Sequence, residues 1–98
     1  MKALRFEDCS IITADIENTL EALQSVVDGY IEVVTLVPGK AVMIVNEEGL
    51  LRGMAPNTIA SAVANTQIVG SAVVVGVDGE DFTDIPEDVE HCIRALFA

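Results

Sequence analysis

Residues Tyr30 to Asn57 read YIEVVTLVPGKAVMIVNEEGLLRGMAPN. Two apolar runs meet at Pro38-Gly39, and proline followed by glycine at the centre of a four-residue turn favours type II. That turn twists less compatibly with a tight hairpin than the primed types, so two strands, residues 30 to 37 and 40 to 46, are expected to splay near it. The second strand carries Ala41, Val42, Met43, Ile44 and Val45 without alternation, the pattern of a strand covered on both faces. It ends abruptly in Asn46-Glu47-Glu48-Gly49, a polar cluster at the edge of an apolar sheet.

Working outward, residues 68 to 77 repeat the doubly covered pattern, with Gly70 and Gly76 marking a bulge or a close approach of another backbone. Residues 2 to 7 and 9 to 14 read as two short strands around an acidic turn at Glu7-Asp8. Asn18-Thr19-Leu20-Glu21 matches a capping box, and Leu20, Leu23, Val26 and Val27 follow helical spacing up to Asp28-Gly29. An amphipathic helix is expected over residues 18 to 28, with Gly29 supplying its left-handed end. Residues 56 to 65 read either as a short Ala-rich helix with Ile59 and Val63 four apart or as an irregular crossing. At the C-terminus, Asp84 to Glu87 form a second capping box around Pro86. Ile85, Val89, Cys92, Ile93 and Leu96 then give the apolar face of a helix running to the last residue.

These elements make one α+β domain over residues 1 to 98. They predict a mixed or antiparallel sheet of about four to five strands with two to three helices. Two helices placed on one face would leave the other apolar face bare, and burying a Val or Ile side chain is worth about 1.5 to 3 kcal/mol. A homo-oligomer covering that face is therefore expected.

Charge restricts the function classes. Sixteen carboxylates oppose five Lys and Arg for a net charge of −11, and Lys2, Arg5, Lys40, Arg52 and Arg94 are scattered, so direct nucleic-acid binding is not expected. Seven of the thirteen residues from Asp78 to Glu90 are acidic: Asp78, Glu80, Asp81, Asp84, Glu87, Asp88 and Glu90. They serve solubility, or they present a DNA-like row of charge to a DNA-binding enzyme. No apolar stretch approaches the roughly 18 residues of a membrane span, and the acidic N-terminus lacks the apolar region of a signal peptide. A cytoplasmic, membrane-free protein is expected.

Cys9 and Cys92 lie far apart and show no metal spacing, so free thiols are expected, with Cys92 as a small hydrophobe on its helix. Asp78-Gly79-Glu80-Asp81 reads as a solvated loop, His91 as a surface residue and Ser71 as a strand residue. No cofactor or metal is implied, and no nucleophile, base and orienting group assemble into an enzyme site. Asn46-Glu47-Glu48-Gly49 with Arg52 and Pro56-Asn57 is the polar constellation set within apolar sequence. It reads as a turn, with glycine where a left-handed residue is wanted. Read as a site, Asn46 and Asn57 offer amide donors and acceptors, Arg52 an anion or carbonyl contact, and Glu47 an acceptor for a ligand N–H or hydroxyl.

The order Leu20-Glu21-Ala22-Leu23-Gln24, Val27-Asp28-Gly29-Tyr30-Ile31-Glu32-Val33-Val34, Asn46-Glu47-Glu48-Gly49, Pro56-Asn57, Ile68-Val69-Gly70 and Val73-Val74-Val75-Gly76 resembles the domain-of-unknown-function family 3846. Its members are small proteins carried by phages, plasmids and conjugative elements of bacteria. The similarity runs from about Leu20 to Phe82. The resemblance implies an accessory protein of a mobile element in the bacterial cytoplasm and supplies no activity. Two expectations follow. One is an oligomeric, non-catalytic binder of a small ligand, such as a nucleotide-derived immune signal in a counter-defence role, with Asn46, Glu47, Arg52 and Asn57 near the pocket. The other is an acidic interaction protein that blocks a host DNA-binding enzyme through the carboxylates from Asp78 to Glu90.

Overall fold

The structure, a computed structural model, describes residues 1 to 7 and 9 to 97; Asp8, in the expected acidic turn, and Ala98 lie outside them. The chain runs β1 (Lys2–Glu7), β2 (Ser10–Asp15), α1 (Leu20–Val27), β3 (Ile31–Val37), β4 (Ala41–Asn46), α2 (Thr58–Ala64), β5 (Ala72–Asp78), β6 (Asp81–Thr83) and α3 (Glu87–Leu96). All pairings are antiparallel, in the order β2-β1-β5-β4-β3, with the short β6 folded back on the end of β5. The α+β class is as the sequence indicated, and α2 resolves the choice at residues 56 to 65 in favour of helix.

Alternation along the central strands sorts the core into two clusters on opposite sides of the sheet. Ala41, Met43, Val45, Ala72, Val74, Leu4 and Phe6 pack with Ala60 of α2 and with Val89 and Ile93 of α3. Val42, Ile44, Val73, Val75 and Ala3 pack with Leu23 and Val27 of α1. The molecule is therefore three-layered, and α1 of the same chain covers the face for which a partner copy was expected. The two helices marked by caps in the sequence, α1 and α3, lie on opposite faces of the sheet rather than together on one. A single eight-residue helix is only about 12 Å long, whereas five strands span about 19 Å. The margins stay open, leaving Ile12 on β2 45% and Val33 on β3 46% exposed.

Local signals shifted by a residue or two where long-range partners competed. Thr19, one residue after the expected cap, accepts from the Ala22 N–H, because Asn18 instead donates to the Phe82 carbonyl. Asp28, rather than Gly29, takes the left-handed conformation at φ 61°. In the C-terminal helix Asp84 makes no cap, since its carboxylate accepts the Lys2 backbone N–H at 2.7 Å, and Pro86 holds the cap position without a side-chain bond. That helix stops at Leu96; Leu96 is exposed, and Cys92, placed on the core face by its spacing, is exposed too. The Pro38-Gly39 turn has Gly39 at φ 71°, and the strands stay paired up to it, with Val37 opposite Ala41; a bulge between Thr35 and Val37 takes the place of the expected splay. Gly76 meets the predicted close approach: a Cβ there would lie 2.2 Å from the Asp84 carbonyl oxygen.

Met43 and Ile44 are neighbours on opposite faces and are both fully buried. Met43→Ala and Ile44→Ala should each lower the free energy of unfolding by about 2 to 5 kcal/mol in urea denaturation. A loss below about 1 kcal/mol for Ile44→Ala would mean that α1 does not cover its face.

Candidate functional site

Of the four residues singled out around the Asn-Glu-Glu-Gly cluster, Asn46 and Glu47 line one groove, and Arg52 and Asn57 lie outside it. Asn46 is buried at the end of β4, where its amide donates to the Val27 carbonyl at 2.9 Å and the Asp28 carbonyl at 3.1 Å. Its side-chain oxygen accepts the Glu48 N–H at 2.7 Å, which forms the turn. Arg52 reaches the same place, donating to the Asp28 carbonyl and pairing with the Asp28 carboxylate at 3.2 Å. The last carbonyls of a helix lack intrahelical donors and carry partial negative charge, so an amide and a guanidinium are suited to hold the end of α1. Gly29 leaves the room, because a Cβ there would sit 2.7 Å from the Asn46 amide nitrogen. Gly49 likewise serves a close approach: it has no positive φ, and a Cβ on it would meet a Val69 methyl at 2.7 Å.

Asn57 acts at a different helix. Its side chain accepts from the Ala60 N–H and so caps α2, while its amide donates to the Phe6 carbonyl at 2.9 Å and the Gly70 carbonyl at 2.8 Å. Both buried asparagines thus spend three of their four hydrogen-bonding positions on the fold. Close by, Glu7 accepts from the Ser71 hydroxyl at 2.6 Å and from Arg5 at 2.7 Å. The Ser71 bond first, and Arg5 second, hold the Glu7 carboxyl below the usual glutamate range. This trio was not foreseen from the sequence, although the two-residue spacing of Arg5 and Glu7 on a strand puts them on one face.

Glu47 belongs to a groove of about 430 Å³ on the α2 side of the sheet, between the β3–β4 end and the loop after it. Val34, Val45, Ile68 and Val69 form its floor, and Glu32, Glu47, Thr66 and Gln67 stand around it. Leu50 and Leu51 make its lip, exposed by 66% and 88%. Glu32 lies opposite Val45 in the β3–β4 register, and Glu47 is two residues further along, so both carboxylates project on the groove side. Neither Arg52 nor Asn57 lines it.

Every Lys and Arg side chain is already paired: Lys2 and Arg94 with Glu90, Arg5 with Glu7, Lys40 with Asp88, and Arg52 with Asp28. Glu32 and Glu47 have no such partner among the described residues. The same pairing breaks up the acidic row. Asp84 holds the Lys2 backbone, Lys40 lowers the Asp88 carboxyl from its ordinary value, and Lys2 and then Arg94 lower that of Glu90. Asp78, Glu80 and Asp81 cluster at the β5–β6 hairpin, with Asp78 opposite Asp81, and Glu87 is exposed at the start of α3. Among the described residues no group of three or more His, Cys, Asp or Glu is placed to hold a metal ion. No helix there is long and apolar enough to cross a membrane.

Fold and groove together define a small three-layered α+β domain with an acidic, apolar-floored groove at one sheet edge. The model of the family described as a domain of unknown function (DUF3846) matches residues 1–98, and the chain belongs to that family. The match extends beyond the stretch that carried the resemblance to include the first strand pair. No curated protein and no solved structure matches the chain.

If the two asparagines hold helices, Asn46→Ala should lower stability by about 1 to 3 kcal/mol. Asn57→Ala should cost at least the roughly 0.5 to 2 kcal/mol of a lost helix cap, while exposed Arg52→Ala should cost no more than about 1 kcal/mol. Guanidinium unfolding curves check this. Unchanged stability of Asn46→Ala would show that its amide is free for another role.

Proposed function

We propose that this protein is a non-catalytic binding module whose groove takes a positively charged, partly apolar segment of another protein. The observation that carries the reading is the charge distribution at the groove. Glu32 and Glu47 stand unpaired over a floor of Val34, Val45, Ile68 and Val69, while all five Lys and Arg side chains are engaged elsewhere. An apolar floor supplies burial, and carboxylates at its rim select for lysine or arginine and speed encounter with them. In the mobile-element setting that the family resemblance implies, the partner is a host protein with a basic segment, such as a DNA-binding enzyme, and the module acts by occupying it.

A nucleotide-derived ligand draws less support from the same groove. Phosphates would meet two carboxylates in a molecule of net charge −11, and among the described residues no Lys or Arg lines the groove. The acidic row remains the second reading, narrowed to Asp78, Glu80, Asp81 and Glu87, which are exposed and have no basic partner among the described residues. Its hairpin is polar and offers charge alone.

The test uses an end-blocked peptide of alternating lysine and valine, with alternating glutamate and valine as control, titrated by fluorescence anisotropy at low salt. The lysine peptide should bind and the glutamate peptide should not. Glu32→Gln with Glu47→Gln should weaken binding about tenfold or more, while Asp78→Asn with Asp81→Asn, the same change in net charge, should leave it within about twofold. Loss of binding in the hairpin variant, with retention in the groove variant, would transfer the function to the acidic row.

A further inference from the structure

We propose that the partner segment binds as an added antiparallel strand on the open edge of β3, with alternate side chains entering the groove. The proposal rests on the groove reading above and names the backbone geometry that reading leaves open. Strand order makes β3 an outer strand. The Tyr30 carbonyl accepts the Glu47 N–H at 2.9 Å, continuing the ladder in which Ile31 lies opposite Asn46. Residues of an antiparallel pair exchange hydrogen bonds at every second position, so Glu32 and Val34 turn their backbone groups toward β4. Ile31, Val33 and Thr35 turn theirs outward, toward the side of β3 that no named strand pairs. Such an edge is a template for a further strand.

Side-chain alternation then gives the pattern of the incoming strand. Residues opposite Glu32 and Val34 fall on the groove side, near Glu47, and suit lysine or arginine. Residues opposite Ile31 and Val33 fall on the α1 side beside the half-exposed Val33 and suit valine or isoleucine. A second copy of this chain would set Glu32, Glu47 and a net charge of −11 against their like, which disfavours β3 pairing with itself.

Backbone pairing and groove contacts separate in one experiment with the lysine–valine peptide. In this geometry the valine amides face β3 and the lysine amides face solvent. N-methylation of the valines should weaken binding about tenfold or more, and N-methylation of the lysines should change it by less than about threefold. Equal affinity of the valine-methylated and parent peptides would overturn strand addition while leaving the groove reading standing, as would equal loss for both methylated copies. A parent peptide that does not bind would remove both. Binding that falls as protein concentration rises, with a dimer seen by sedimentation, would give the edge to a second copy instead.

Discussion

All six residues of β4, from Ala41 to Asn46, are buried. A strand closed on both faces cannot rest on a single layer of helices, because each bare Val, Ile or Met would forfeit about 1.5 to 3 kcal/mol of burial. The sheet must therefore be covered twice, and the chain does this with α1 on one face and α2 and α3 on the other. Antiparallel β5 shares the constraint, with Val73, Val74 and Val75 fully buried on alternating sides. The outer strands are where the cover ends, and the openings at Val33 and in the groove follow from the short reach of the helices.

A strand this deeply buried also needs a defined end. Asn46 supplies it, closing the turn after β4 with its oxygen and holding the end of α1 with its amide. Arg52 adds a second contact to the same helix end. These bonds draw the loop after β4 over the α1 terminus and leave Glu47, Leu50 and Leu51 around the groove on the other side of the sheet. A polar cluster that looks like a site in sequence is thus divided by the strand: its amides and guanidinium hold the fold, and its carboxylate and leucines face outward. The same division explains why the charge of the groove is uncompensated, since each cation has been drawn to a carboxylate elsewhere.

Much of this was legible wherever one residue's environment is set locally. The unbroken run from Ala41 to Val45 announced a doubly covered strand, Pro38-Gly39 its turn, and Val89 with Ile93 the core face of the last helix. Legibility failed where a distant group outbid a local one. Asn18 and Thr19 are equally able to cap a helix, and only Phe82, 64 residues away, decides between them. Asp84 is lost as a cap to the Lys2 backbone. The β6 strand is three residues long, too short to show a period. Grouping Asn46, Glu47, Arg52 and Asn57 followed their nearness in sequence, whereas Asn57 caps a helix on the opposite face from the α1 end that Asn46 and Arg52 hold. Glu32, Leu50 and Leu51 were missed because a groove built from two strands and a loop has no signature in any one of them.

The sheet is closed in its middle and open at β3, and native-state amide hydrogen exchange of the free protein, read residue by residue by NMR, tests both halves at once. Val42 to Val45 and Val73 to Val75 should exchange only through global unfolding. In β3, Glu32 and Val34 should be protected while Ile31, Val33 and Thr35 exchange rapidly. Uniform protection along β3 would mean that its edge is already covered, and fast exchange in β4 would contradict the doubly covered core.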